Sequence, residues 1–259
     1  MSESHSIALT VAYDGAQFAG FARQPGLDTV QGRLETALGT LLRRDVETTG
    51  AGRTDSGVHA LGQVVSFHPG VELGDEARLR RSLNALTGDG IVIKRVRKAH
   101  QGFSARFDAV EREYRYRIVA GRVPPLFLSH YAWHVPSELD VSAMQTCAAL
   151  LVGEHDFRSF CVTESAVGQR TVRRVEAIDF AEEEHLGEEC LTVRVVGNAF
   201  LHSMVRVIVG TLVEVGAGRR DCDWVGEVLA ARSRDAAGQT APARGLTFWR
   251  VRYPDGVWL

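Results

Sequence analysis

A chain of 259 residues, 45% apolar and 24% charged with a formal net charge of -2, has the composition of a folded globular protein with room for one large domain or two. No run approaches the ~20 uncharged apolar residues of a membrane helix, because the most apolar stretch, from Asn198, is interrupted by His202, Arg206 and Glu214. The opening MSESHS places Glu3 where a secretion signal carries cations and an apolar block, and the four cysteines (147, 161, 190, 222) lie at least 14 residues apart; this points to buried thiols in a reducing cytosol rather than a disulfide framework or zinc ribbon.

In chain order, a strand is predicted over 7–13. Val30, Leu34, Leu38, Leu41 and Leu42 then share one helical face, with Asp28 or Thr29 as N-cap. Strands are expected over 46–51, 63–68 and 91–96, with a helix over 75–86, and FSARF (103–107) and EYRYRIVA (113–120) alternate at strand period. Gly121, Pro124 and Pro125 mark a boundary, giving halves of 1–120 and 121–259. The order then recurs: a helix over 141–151, paired strands over 171–180 and 189–196, helices over 200–215 and 223–232, and a last strand over 246–253. The expected class is α+β, two similar halves, each a mostly antiparallel sheet covered by helices.

Charge is uneven along this order. Of the 30 cations, 28 are Arg, and residues 94–122 hold nine cations against three acids, whereas residues 176–189 hold seven acids and no cation. The acidic run EEEHLGEE (182–189) reads as a solvated hairpin tip. The basic stretch is a solvated face or a polyanion site, and the residues within it bear on that choice. In FSARFDAVEREYRYRI, Phe103, Phe107, Tyr114 and Tyr116 interleave with Arg106, Arg112, Arg115 and Arg117, supplying the charge and stacking rings that unpaired nucleotides require. Strand alternation puts Tyr114 and Tyr116 on one face and Arg115 and Arg117 on the other.

GAGRTDSGVHALGQVV, from Gly50, is the most informative stretch. Glycines 50, 52 and 57 bracket Arg53 and Asp55 between two predicted strands, which presents a carboxylate on a tight loop. The stretch matches neither a dinucleotide fingerprint nor a P-loop. A second feature is Arg206 within the apolar helix 200–215, on a narrow stripe with His202, Gly210 and Glu214. A guanidinium there requires an anionic partner; that is either a structural ion pair or Asp55, which two arginines would hold ionised. Metal ligation finds little support, since His130 and His134 on an extended segment stand roughly 13 Å apart, and Asp55 with His59 lacks further ligands by spacing.

These stretches together resemble the tRNA pseudouridine synthase A family nearly end to end. The resemblance runs through AYDGAQFAGFARQPGLDTVQGRLETAL, GAGRTDSGVHALGQVVSF, FSARFDAVEREYRYRI, GEHDFRSF, NAFLHSMVRVIVGTLVEVG and RGLTFWRVRYP. One departure follows YDG, where GFARQ stands in place of the family's usual GW followed by Gln. The resemblance implies a pseudouridine synthase fold with a central cleft. It implies Asp55 as the catalytic residue, Tyr114 stacked on the target base, Arg206 paired with the catalytic Asp, Leu246 in an apolar pocket, and Arg53 helping to extrude the base. The implied reaction turns uridine into pseudouridine at positions 38, 39 and 40 of the tRNA anticodon stem-loop. It needs no cofactor or metal, because no group enters or leaves, and one ionised carboxylate serves as nucleophile or as base at the ribose. The implied protein is a cytoplasmic homodimer whose partner is tRNA, with no membrane. Two alternatives from other classes are a non-catalytic structured-RNA-binding protein and a metal-dependent hydrolase built on Asp55 and His59.

Overall fold

The computed structural model describes residues 5–71 and 74–259. The leading MSES segment, with the reading placed on Glu3, lies outside the described residues, and no described helix is long and apolar enough to cross a membrane. The chain forms two compact units, one of residues 1–111 with 248–259, the other of residues 112–247.

The first unit holds β1 (Ser6–Tyr13), α1 (Val30–Leu42), β2 (Thr48–Gly50), β3 (His59–Phe67), α2 (Glu76–Thr87) and β4 (Ile91–Ala99). β1 is central, antiparallel to β3 on one side and β4 on the other, with Leu9 opposite both Val65 and Val96. Ile7, Leu9 and Val11 are buried, as a strand flanked on both sides and covered by helices requires. Thr29 is the N-cap of α1, its hydroxyl accepting from Gly32 N–H at 3.2 Å; Val30, Leu34 and Leu38 of the predicted face are buried, while Leu41 and Leu42 in the last turn are only half-buried. FSARF is not a strand. Ser104 N–H donates to Asp108 Oδ2 at 2.8 Å and Asp108 N–H to Ser104 O at 3.1 Å, so a local side-chain bond closes a turn that replaces ladder pairing.

The second unit holds β5 (Glu111–Ala120), β6 (Trp133–Val135), α3 (Val141–Ala148), β7 (Gly153–Asp156), α4 (Thr163–Ala166), β8 (Val172–His185), β9 (Glu188–Gly197), α5 (Met204–Gly216) and α6 (Cys222–Ala231). Its sheet runs β5-β9-β8-β7, antiparallel throughout, with β6 added parallel to β5. Leu186 and Gly187, both left-handed with φ of 55° and 79°, close the β8–β9 hairpin in the tight turn expected from the acidic run. Residues 128–130 form a 3-10 turn rather than extended chain, and His134 Nε2 lies 2.8 Å from Gly121 O. β10 (Leu246–Arg252) then carries the chain back, and from Phe248 onward it belongs to the first unit beside β3. There Tyr253 donates from its hydroxyl to Ala105 O at 2.7 Å, and the rings of Phe103, Tyr253 and Trp258 pack together. By packing the units thus divide at 111/112, whereas the Gly121–Pro125 segment read from sequence lies within the second unit.

Two findings depart from the periodic reading of the second unit. α5 starts at Met204, four residues later than predicted, because Ser203 takes a left-handed conformation at φ 61°. Cys147 and Cys222 form a disulfide joining α3 to α6, their Cα atoms 5.1 Å apart, while Cys161 and Cys190 are free and buried. The expectation of four thiols fails because the paired residues, 75 apart in sequence, meet only through helix packing.

α5 is buried on nearly all sides, and a Cβ at Gly210 would stand 1.8 Å from Gln239 O. Gly210→Ala is expected to destabilise the protein by about 1–3 kcal/mol. Gly226→Ala, in α6 with nothing within 4 Å of the added carbon, is expected to be neutral or to stabilise by up to about 1 kcal/mol. Urea unfolding of both variants checks this contrast, and equal midpoints would contradict it.

Candidate active site

Asp55 lies on the irregular segment between β2 and β3, half-buried, with Thr54 buried before it and Arg53 exposed two residues back. Such a segment cannot satisfy its backbone through a ladder, so its polar groups must find partners elsewhere in the unit. Thr54 O accepts from Phe21 N–H at 3.0 Å, and Thr54 Oγ1 lies 2.7 Å from the Tyr13 hydroxyl at the end of β1. Ser56 Oγ donates to Phe18 O at 3.0 Å, Gly57 N–H to Gly15 O at 3.1 Å, and Val58 N–H to Asp55 O at 3.1 Å. From β3, Gln63 Nε2 donates to Gly52 O at 2.8 Å. The loop is therefore tied to the rest of the unit at residues 52, 54, 56 and 57, and the Val58 bond to Asp55 O closes it around the carboxylate.

The approach is close enough to dictate residue type. A Cβ at Gly15 would stand 2.0 Å from Val58 O, so only glycine fits there. Phe21, from the segment that departs from the family pattern, is buried with its ring against Gly50 and its N–H on Thr54 O. His59 Nδ1 accepts from Gly15 N–H at 3.2 Å and lies 3.1 Å from Asp14 Oδ1. Between the Gly15 N–H and the Asp14 carboxylate, the imidazole anchors the 3-10 turn at Gly15–Gln17.

In the second unit, Tyr114 and Tyr116 share the buried face of β5, as strand alternation predicts. The Tyr114 ring stands edge-on to Phe200 with centroids 5.2 Å apart. The Tyr116 hydroxyl donates to Pro242 O at 2.8 Å, and burial pushes its phenol well above the ordinary range, against the opposing charges of Arg206 and Arg244. Arg206, in α5, donates from Nε to Ala241 O at 2.8 Å, while Ala241 N–H donates to Arg206 O at 3.2 Å. Leu246, at the start of β10, is buried. The opposite face of β5 is not plain solvent: Glu113 is buried, with Arg115 Nε at 3.0 Å and Arg194 Nε at 3.3 Å, and Arg194 also pairs with Asp179. Part of the basic stretch is thus engaged in ion pairs within the sheet.

Of the residues singled out from sequence, Arg53 and Asp55 share one loop of the first unit, and Tyr114, Arg206 and Leu246 all fall in the second. The sequence reading missed Tyr13 and Gln63, which hold the loop from 41 and 11 residues away, and Arg244, which acts on Tyr116 beside Arg206. Only the shared strand face of Tyr114 and Tyr116 could have pointed to that second cluster.

A family profile described as "tRNA pseudouridine synthase" matches residues 9–108 and 147–254. A Brevibacillus brevis protein named "tRNA pseudouridine synthase A" is 47% identical over 244 residues, covering 94% of this chain and 97% of that one. Proteins of the same name from Bacillus licheniformis and Bacillus subtilis are 42% and 43% identical over 248 residues, covering 95% of this chain and 98% of theirs.

Burial pushes the Tyr13 phenol up to about 12, against hydrogen bonds to Thr54 and Gln63 that lower it. The unfolded chain ionises this tyrosine near 10.0, so stability is fully present below about pH 10 and is lost as pH rises towards about 12. Tyr13→Phe is expected to lower stability by about 1 kcal/mol at neutral pH through the lost hydrogen bond and to flatten this alkaline loss. Urea midpoints measured from neutral to alkaline pH check both effects; an unchanged midpoint and an unchanged slope would contradict them.

Proposed function

This chain belongs to the tRNA pseudouridine synthase family, and from that premise we propose that it isomerises uridine at positions 38, 39 and 40 of the tRNA anticodon stem-loop with Asp55 as nucleophile. The family reaction is a tRNA uridine isomerisation. The C1′–N1 bond breaks, the uracil turns, C1′ bonds to C5, the C5 proton leaves, and N1 gains a proton. Atoms and electrons balance with no redox partner, so one carboxylate at the ribose provides the covalent help required.

The observation that carries the assignment is the loop around Asp55, which lies within GRTDSGVHALGQV, is tied to its unit at residues 52, 54, 56 and 57, and is closed on itself by the Val58 N–H bond to Asp55 O. A nucleophile must be held near its attack geometry before substrate arrives, and a pinned loop does this at no cost during the reaction. Tyr114 is assigned to stack on the extruded base, Arg53 to extrusion, Leu246 to an apolar wall, and Arg206 to keeping the carboxylate charged. The family premise further supports a cytoplasmic homodimer.

Incubation of the purified protein with unmodified tRNA transcripts, followed by chemical modification and primer extension, is expected to show pseudouridine at 38–40 with or without chelator. Product elsewhere, or dependence on added metal, would contradict the assignment. Tyr114→Phe keeps the stacking ring and loses the hydroxyl. It is expected to bind tRNA within a few-fold of wild type while turnover falls by about tenfold or more, ~1.4 kcal/mol; lost binding with unchanged turnover of bound tRNA would contradict that role.

A further inference from the structure

We propose that the β8–β9 hairpin of the second unit binds a divalent transition-metal ion of the zinc class through Glu183, His185 and Cys190, a site apart from the isomerisation chemistry. The hairpin register places Glu183 directly opposite Cys190 and His185 opposite Glu188. Residues 183 and 185 project from one face because side chains alternate along a strand, and 190 shares that face across the ladder. One donor atom from each of Glu183, His185 and Cys190 lies within 4.8 Å of the other two. Ligands about 2.0–2.3 Å from a tetrahedral zinc ion stand roughly 3.3–3.8 Å from one another, so small side-chain rotations close the set.

The donor types select the ion. Carboxylate oxygen, imidazole nitrogen and thiolate sulfur are the three ligand classes zinc accepts, and the thiolate disfavours magnesium and calcium. The surroundings are also those of a ligand set. Thr192 Oγ1 donates to Glu183 Oε2 at 2.7 Å and so holds the carboxylate, and His185 Nε2 already faces the same oxygen at 3.1 Å. Cys190 is buried in an apolar cluster with Val119, Leu128 and Ala132, while the His185 side chain is 39% exposed and leaves an entry path. Glu188, on the same face, is committed elsewhere, its carboxylate accepting from the N–H groups of Leu126, Phe127 and Leu128. Arg115 Nη1, 3.9 Å from Glu183 Oε1, and the Arg117 charge felt by both Glu183 and Cys190 oppose a second cation. The site is accordingly weaker than a four-ligand structural zinc site, with water in the fourth position. On binding, the Cys190 S–H proton passes to solvent as the S–metal bond forms.

The test titrates cobalt(II) into the chelator-treated, disulfide-intact protein. The expected result is thiolate-to-cobalt charge-transfer absorption with tetrahedral ligand-field bands, saturating at one equivalent and displaced by zinc. Cys190→Ser abolishes the charge-transfer band, Cys161→Ser leaves it intact, and His185→Gln, at a half-exposed position, weakens cobalt binding by about tenfold or more with an unchanged circular dichroism spectrum. Calorimetric zinc titrations in two buffers report the released proton. No thiolate band in the wild-type protein, a band that survives Cys190→Ser, or unchanged affinity in His185→Gln overturns the proposal. Because the readout is spectroscopic, it fails or succeeds independently of the tRNA assay.

Discussion

Pinning the irregular segment between β2 and β3 is the constraint on which the rest of the first unit depends. Each backbone group buried there without a partner would cost about 1–3 kcal/mol. The unit answers with donors and acceptors from three directions: the end of β1 through Tyr13, the turn at residues 15–18, and β3 through Gln63. These partners explain the local residue types, including a Gly15 that admits no Cβ and a phenol buried for its single hydroxyl. The result is a carboxylate held on a fixed backbone in a part of the chain with no regular structure.

The second unit meets a related demand by a different route. α5 is buried on nearly its whole circumference, so a guanidinium at Arg206 must find acceptors inside the protein. The 239–246 segment supplies one through Ala241 O and comes so close to the helix that Gly210 must lack a side chain. The same segment accepts the Tyr116 hydroxyl at Pro242. One loop thus anchors both a helix and a strand. A polar network of this kind strengthens when fully paired and costs heavily when one partner is lost.

What was legible in the sequence follows from the range over which each signal acts. The motif around Asp55 was readable because its glycines, acid and cation lie within eight residues, and α1 was readable because Val30, Leu34 and Leu38 repeat at helical spacing. FSARF misled because five alternating residues do not outweigh a Ser104–Asp108 turn. Tyr13, the Cys147–Cys222 bond, and the return of the chain to the first unit after residue 247 depend on contacts 41 residues or more apart, where periodicity carries no information. The inner face of the acidic hairpin was hidden for a related reason. Composition shows charge, but only the register fixed by Leu186 and Gly187 sets Glu183 against Cys190.

The proposed role of the Asp55 carboxylate at the ribose is open to a direct test. Asp55→Asn changes one oxygen to nitrogen and keeps the loop's backbone bonds, so it separates charge from shape. Under single-turnover conditions with tRNA saturated by enzyme, the expected result is tRNA affinity within a few-fold of wild type and no detectable pseudouridine. Pseudouridine formation by Asp55→Asn at a rate near that of the wild-type protein would contradict it.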